Sequence, residues 1–203
     1  MAYTTINKST DYFNTKLYTG TGSSQTLTGI GFNADLIWLK NRTDASTSHV
    51  VTDSVRTNAK YLKPDTDETE GTYTFVSNRG SDGYDVASHS WSGASSKNYV
   101  SWNWKANGSG SSNTDGSITS TVSANTTAGF SIVKYTGTGA IATVGHGLGV
   151  APKMIIAKGL GVTNNWIVYH STVGNTKGVA LQGTNDFTGS HLFNNTSPTS
   201  SVF

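Results

Sequence analysis

Phe13-Asn14-Thr15-Lys16-Leu17-Tyr18-Thr19-Gly20-Thr21-Gly22 returns as Phe130-Ser131-Ile132-Val133-Lys134-Tyr135-Thr136-Gly137-Thr138-Gly139, 117 residues later. Working outward, Thr28-Gly29-Ile30-Gly31-Phe32-Asn33-Ala34-Asp35-Leu36-Ile37-Trp38-Leu39-Lys40 matches His146-Gly147-Leu148-Gly149-Val150-Ala151-Pro152-Lys153-Met154-Ile155-Ile156-Ala157-Lys158 at an offset of 118. His49-Val50-Val51-Thr52-Asp53-Ser54 then matches Trp166-Ile167-Val168-Tyr169-His170-Ser171, with the offset back at 117. Three blocks in one order, with offsets that agree to one residue, mark an internal duplication. The expected organisation is lobe one over 1–105, a linker over 106–116 and lobe two over 117–203. The linker is rich in Gly, Ser and Asn, the composition of a flexible connection. The second copy is short: Phe203 falls opposite Asp85 or Val86, and nothing in it repeats Asn98-Tyr99-Val100-Ser101-Trp102-Asn103-Trp104-Lys105. Lobe two is therefore expected to be incomplete, either because the chain is part of a longer one or because a neighbour completes it. A sandwich lacking a strand exposes a row of backbone groups and invites another chain to pair.

Within each lobe the pattern is that of strands. Asp35-Leu36-Ile37-Trp38-Leu39-Lys40 and its repeat Lys153-Met154-Ile155-Ile156-Ala157-Lys158 are short apolar runs of central-strand type. Thr72-Tyr73-Thr74-Phe75-Val76 alternates in character. In 99–105, Val100, Trp102 and Trp104 share one face, and Tyr99, Ser101, Asn103 and Lys105 the other. Trp38, Trp102 and Trp104 read as core residues on this pattern. Turn signals such as Ser81-Asp82-Gly83 punctuate the runs. Thr 31, Ser 26, Gly 23 and Asn 17 make nearly half of the 203 residues, while Leu, Ile, Val and Phe make just under a fifth. With a net charge of only +2 and 21 aromatic residues, that composition points to many turns between short strands and not to disorder. The predicted fold class is all-β: two tandem, homologous β-sandwich lobes of jelly-roll-like type, the second truncated.

The same numbers exclude several classes of function. There is no apolar run of transmembrane length, and the first residues lack the basic and apolar regions of a signal peptide, so neither membrane insertion nor secretion by that route is expected. Cysteine is absent, which removes disulfide and thiolate chemistry. Without a run of Lys or Arg, the electrostatic footprint of a nucleic-acid binder is missing. Gly145-His146-Gly147-Leu148-Gly149 is followed by neither Lys-Ser/Thr nor a helix, so it reads as turn or bulge glycines and not as a phosphate loop. His49, His89, His146, His170 and His191 have no metal-ligand spacing, and no metal or cofactor is expected. The acidic run Asp65-Thr66-Asp67-Glu68-Thr69-Glu70 lacks the glycine and distal glutamate of a calcium loop and reads as a solvated segment. Asp53, Asp82 and Asp85 form no evident acid–base pair, and Ser54 has no nucleophile-elbow context, so the chain is not expected to be an enzyme.

The aromatic residues are the best binding candidates, because exposed rings stack on the apolar faces of sugars. Trp91 sits in the loop-like Ser88-His89-Ser90-Trp91-Ser92-Gly93, and Tyr84 and His89 are its candidate partners in a glycan site. Trp166, which stands where lobe one has His49, is a candidate oligomer-interface residue together with Phe193 and Phe203.

Lys16-Leu17-Tyr18-Thr19-Gly20-Thr21-Gly22, Ile30 to Arg42, Asp53-Ser54-Val55-Arg56, Tyr99-Val100-Ser101-Trp102-Asn103-Trp104-Lys105-Ala106, Gly129 to Gly139 and Val144 to Ile155 together resemble a poorly characterised domain of marine and cyanobacterial phage tail-fibre and related structural proteins. The resemblance spans almost the whole chain. It implies a virion protein of β architecture, made in the host cytoplasm, with no catalytic residues to carry over; the family usually continues beyond the second lobe. The expected function is that of a phage structural protein, part of a tail fibre or surface appendage active in assembly and host attachment. A capsid decoration or head-fibre protein and a carbohydrate-binding module are the alternatives. The expected partners are other virion proteins, further copies of the chain in a homo-oligomer such as a trimer, and a host surface glycan.

Overall fold

A computed structural model describes residues 6–184, 186–188 and 192–203. The fold is all-β, built of antiparallel sheets, with two short 3-10 turns among the described residues, Ser9–Asp11 and Leu192–Asn195. The chain divides into two compact units. Unit one is Met1–Lys63 with Glu70–Ser109, and unit two is Pro64–Thr69 with Gly110–Phe203. The segment expected as a linker is taken up by both. Ala106 and Gly108 donate their backbone N–H groups to the buried Asp35 carboxylate in unit one, at 2.7 and 3.1 Å. Ser111–Asn113 forms a strand of unit two.

Unit one contains β1 (Phe13–Thr19), β2 (Gln25–Leu27), β3 (Leu36–Asn41), β4 (Val50–Asp53), β5 (Lys60–Tyr61), β6 (Gly71–Thr72), β7 (Val76–Gly80), β8 (Gly83–Val86) and β9 (Asn98–Trp104). One sheet runs in the order β1-β9-β3-β4, a second in the order β2-β8-β7, and β5 pairs with β6. The strand β9 is the keystone: it pairs along its length with β1 (Thr15↔Trp102, Leu17↔Val100) and with β3 (Trp38↔Trp102, Lys40↔Val100). Strand alternation sends Ile37 and Leu39 inward, where they meet Leu27, Val76, Tyr84 and Val86 of the second sheet in one buried cluster. Phe75 is 1% exposed, and Ile30, Ile37, Leu39, Val50, Val76 and Val86 are fully buried.

The inner face of β9 overturns the expected facing. It is Tyr99, Ser101 and Asn103 that are fully buried, whereas Trp102 and Trp104 are half-buried on the outer face. Buried polar groups persist only when paired. Asn103 Oδ1 accepts from the Tyr84 hydroxyl at 2.8 Å, and its Nδ2 donates to the Asn14 carbonyl and to Ser101. The Tyr99 hydroxyl donates to the Ser90 carbonyl and accepts from Ala94 N–H. On the outer face Trp38 lies edge-on to Trp102 and to His49, to which its indole N–H donates at 2.8 Å, and Phe13 covers Trp104.

Unit two contains β10 (Ser111–Asn113), β11 (Ser120–Asn125), β12 (Phe130–Tyr135), β13 (Met154–Ala157), β14 (Ile167–His170), β15 (Lys177–Ala180) and β16 (Asp186–Thr188). The duplication is visible strand by strand: β12, β14 and β15 begin 117 residues after β1, β4 and β5, and β13 begins 118 after β3. Gly29 and Gly31 take left-handed φ values of 78° and 86°, and their counterparts Gly147 and Gly149 take 68° and 74°. The glycine run is thus a turn in both copies, as only residues without a Cβ adopt that backbone freely. Lys40 folds back onto the Ala45 and Thr47 carbonyls, and its counterpart Lys158 onto those of Gly159 and Val162. Phe203 exchanges two backbone hydrogen bonds with Val144, and Val202 pairs with Gly145, as β8 pairs with β2 in unit one.

The sheets of unit two nevertheless differ from those of unit one. They run β10-β11-β12 and β13-β14-β15-β16. The counterparts of β1 and β3 belong to separate sheets, and no described strand stands between them as β9 does in unit one.

Candidate functional site

Among the described residues, the largest group of touching rings lies against the buried cluster of unit one. Its members come from β5 (Tyr61), the approach to β7 (Tyr73 and Phe75) and the turn after β8 (His89 and Trp91). The turn closes on one acceptor: the His89 carbonyl takes the N–H groups of Ser92, Gly93 and Ala94, and the Trp91 N–H donates to His89 Nδ1 at 3.1 Å. That bond requires Nδ1 unprotonated, and burial pushes the imidazole below its ordinary range, so both effects favour the neutral ring.

Phe75 stacks on Trp91 with ring centroids 5.7 Å apart and planes 13° from parallel. The Lys63 ammonium stands 5.5 Å from the indole centroid, a cation–π distance. Trp91 thus packs against the buried cluster of unit one and is half-buried. Tyr73, 39% exposed and 4.9 Å from the His89 ring, is the ring this cluster presents most openly to solvent. The arrangement offers an aromatic shelf edged by an imidazole and an ammonium. It can stack a planar or apolar ligand face and donate hydrogen bonds to its hydroxyls.

The sequence-predicted residues separate on this map. His89 and Trp91 do meet, at 5.1 Å between ring centroids. Tyr84 does not join them at the surface: it is 1% exposed, with its hydroxyl bound to Asn103. Burial pushes that phenol far above its ordinary range. Alternation along β8 puts Tyr84 and Val86 inside and leaves Asp85 outside, so Tyr84 has no face to offer a glycan. Tyr61, Lys63, Tyr73 and Phe75 are the members that the sequence reading missed. The alternation of Tyr73 with Phe75 was the available signal for one of them.

The three interface candidates are all engaged inside unit two. Trp166 is 7% exposed, and its indole N–H donates to the Thr66 carbonyl at 3.1 Å, so it is buried and not offered to a neighbour. Phe193 lies edge-on to Tyr169 at 5.2 Å, and Phe203 edge-on to Tyr135 at 6.2 Å.

The polar residues weighed for chemistry, Asp53, Ser54, Asp82 and Asp85, each have hydrogen-bond or ion-pair partners. The Asp82 carboxylate accepts from Gly29 N–H at 3.0 Å and Gly31 N–H at 2.9 Å, and these bonds hold it below the usual carboxylate range. Asp85 accepts from Thr26 and Asn78 and is lowered likewise. Asp53 and Glu70 both engage Arg56, at 2.6 and 2.9 Å, in a pair of largely buried ion pairs. His146 is buried, with Nδ1 accepting from Leu148 N–H and Nε2 beside the Thr199 carbonyl. Among the described residues no three His, Asp or Glu side chains are grouped to hold a metal ion. His191 lies outside the described residues.

These features define an all-β protein of two units in which several strands recur at a constant sequence offset, with an aromatic shelf on unit one. A family model described as a domain of unknown function (DUF7483) matches residues 8–203, and the chain belongs to that family. No curated protein and no solved structure matches it.

Proposed function

We propose that this protein is a structural component of a bacteriophage virion, part of a tail fibre or similar surface appendage that serves assembly and host-surface attachment. The observation that carries the proposal is the tandem duplication of a β lobe whose sequence is rich in Thr, Ser, Asn and Gly and low in charge. Such chains suit extended surface appendages, where identical lobes are added in series. The resemblance to phage tail-fibre and related structural domains points the same way. Labelling purified virions with an antibody against this chain tests it. Label on the tail supports the proposal, label on the head favours a capsid decoration role, and a chain missing from virions overturns both.

The shelf around Trp91 favours a second, compatible reading, attachment through a surface glycan. Tyr73 would stack on the sugar, His89 Nε2–H would donate to a hydroxyl, and Trp91 would hold the shelf in place. A glycan array with Tyr73→Ala and Trp91→Ala tests this. Binding that both variants lose by about tenfold or more, a difference of about 1.4 kcal/mol, supports a site on the shelf. Absence of any bound glycan, or binding equal to the parent chain, removes it.

A further inference from the structure

Two separate sets of bonds hold the turn after β8. One set ties its backbone to the interior of unit one. The Ser90 carbonyl accepts from Asn41 Nδ2 and from the Tyr99 hydroxyl, the Tyr18 hydroxyl donates to the Ser92 carbonyl at 2.6 Å, and Ser92 Oγ donates to the Ala87 carbonyl. The other set runs through the His89 ring. Its Nδ1 accepts from Trp91 N–H, and its centroid lies 4.9 Å from those of Tyr73 and Phe75 and 5.1 Å from that of Trp91. One side chain thus forms the wall between Tyr73 and Trp91, over a backbone that is anchored without it.

Protonation acts on the second set alone. An imidazolium carries a hydrogen on both nitrogens, so Nδ1 stops accepting and turns a donor toward the Trp91 N–H. The groups around the ring give it nothing in exchange. From β5 and the residues after it come the Tyr61 phenol and the Lys63 ammonium, both against Trp91. From the approach to β7 come the Tyr73 phenol and the apolar Phe75. The turn itself, Ala87 to Ala94, has no other charged or titratable side chain. None of these groups is a carboxylate, and an ammonium repels a second positive charge. Burial alone already pushes the His89 imidazole below its ordinary range. The ring is only half-buried, so a side-chain rotation carries it from its ring contacts into water. The neutral ring is favoured inside and the charged ring outside, which gives the side chain two positions that pH selects between.

We propose that His89 is a pH-sensitive latch of the aromatic shelf: neutral, its ring joins Tyr73 to Trp91 in one surface, and protonated, it swings out and the surface comes apart while the rest of unit one stays folded. The latch is a property of the turn and is present without a ligand. Its consequence for binding rests on the glycan reading of the shelf, which it deepens. A sugar that stacks on the closed shelf is released in mild acid, because the stacking surface is lost. By linkage the same sugar, when bound, keeps the ring neutral and lowers the His89 pKa further.

An NMR titration of the full chain between pH 7 and pH 5 tests the latch with no ligand present. The His89 ring signals should titrate with a midpoint below about 6.5, and the Trp91 amide signal should move with the same midpoint. Its hydrogen exchange, corrected for the intrinsic effect of pH, should quicken by about tenfold or more, while the Ile37 amide stays protected. In His89→Gln the Trp91 amide should show no such transition. A Trp91 amide that stays unchanged while His89 titrates overturns the proposal. So does the same transition in His89→Gln, or a loss of Ile37 protection in step with it, which would mean that the unit unfolds as a whole. With a glycan identified on the array, affinity should fall by about tenfold or more between pH 7 and pH 5 in the parent chain and by less than about twofold in His89→Gln. Equal falls in the two overturn the control of binding by His89 and leave the glycan reading standing. An array without any bound glycan removes that reading, and the Trp91 amide still decides the latch.

Discussion

The two units are one sequence pattern folded twice, and they differ in whether the pattern is closed. In unit one β9 pairs with β1 and β3, and the rings of Tyr84, Tyr99 and Phe75 are sealed beneath the sheets. In unit two the homologous β12 and β13 lie in separate sheets, and Met154, Ile156, Val162 and Val179 remain exposed. Among the described residues, the largest fully buried side chains all belong to unit one. The same strand pattern thus packs to different depths in the two units: unit two buries Val144, Tyr169 and Ala180, but its buried residues are smaller or less completely covered than those of unit one. Stability should follow that division, since burial of apolar area is the main favourable contribution to folding.

The largest expected difference is between equivalent core and edge truncations. Phe75→Ala should cost about 3–5 kcal/mol of unfolding free energy, whereas Ile156→Ala should change it by about 0.5 kcal/mol or less. Urea unfolding followed through the tryptophans would report both, and equal losses would break the distinction between the units. A smaller effect is expected at the polar inner face of β9. Asn103→Ala leaves the buried Tyr84 hydroxyl without its acceptor and should cost about 1–3 kcal/mol, with Tyr84→Phe on that background recovering part of it. Additive losses in this cycle would mean the two groups are not coupled.

Acid should act first on unit one. The folded-state pKa values of Asp82 and Asp85 lie below the ordinary carboxylate value of about 3.9, so their contribution is present above that value. It is lost as pH falls through the lowered folded values. Asp82→Asn should therefore flatten the fall in urea midpoint between neutral pH and pH 3. The smallest effect belongs to His89, whose folded pKa is also depressed. Its contribution is present above about 6.5 and is lost as pH falls below that value and through the folded one. His89→Gln should lessen a modest decline between pH 7 and pH 5, measured by thermal unfolding.

Much of this organisation was legible in the sequence, because strand periodicity and duplication are local signals. The apolar runs 35–40 and 153–158 predicted β3 and β13, and the glycines before them lie in the predicted turn segments. Facing was less legible. Period-two alternation in 99–105 defines two faces without saying which is inside, and Ser101 and Asn103 look like solvent positions until their partners are known. Trp102 and Trp104 were accordingly assigned to the core and lie on the outer face instead. Tyr84 was misplaced for a related reason. The carboxylates of the neighbouring Asp82 and Asp85 are occupied by Gly29, Gly31, Thr26 and Asn78, while alternation turns Tyr84 inward. The shelf was half-legible, since His89 and Trp91 adjoin in sequence while Tyr61, Lys63 and Tyr73 reach it only through the fold.

The central claim is that one repeat is closed by a central strand that has no counterpart among the described residues of the other, and residue-resolved hydrogen exchange tests it most directly. Ile37 and Ile155 are internal controls, since both amides face a strand present in their own unit. The Trp38 amide, aimed at β9, should be as protected as that of Ile37, while its counterpart at Ile156 should exchange far faster than Ile155. Equal protection at Trp38 and Ile156 would contradict the claim.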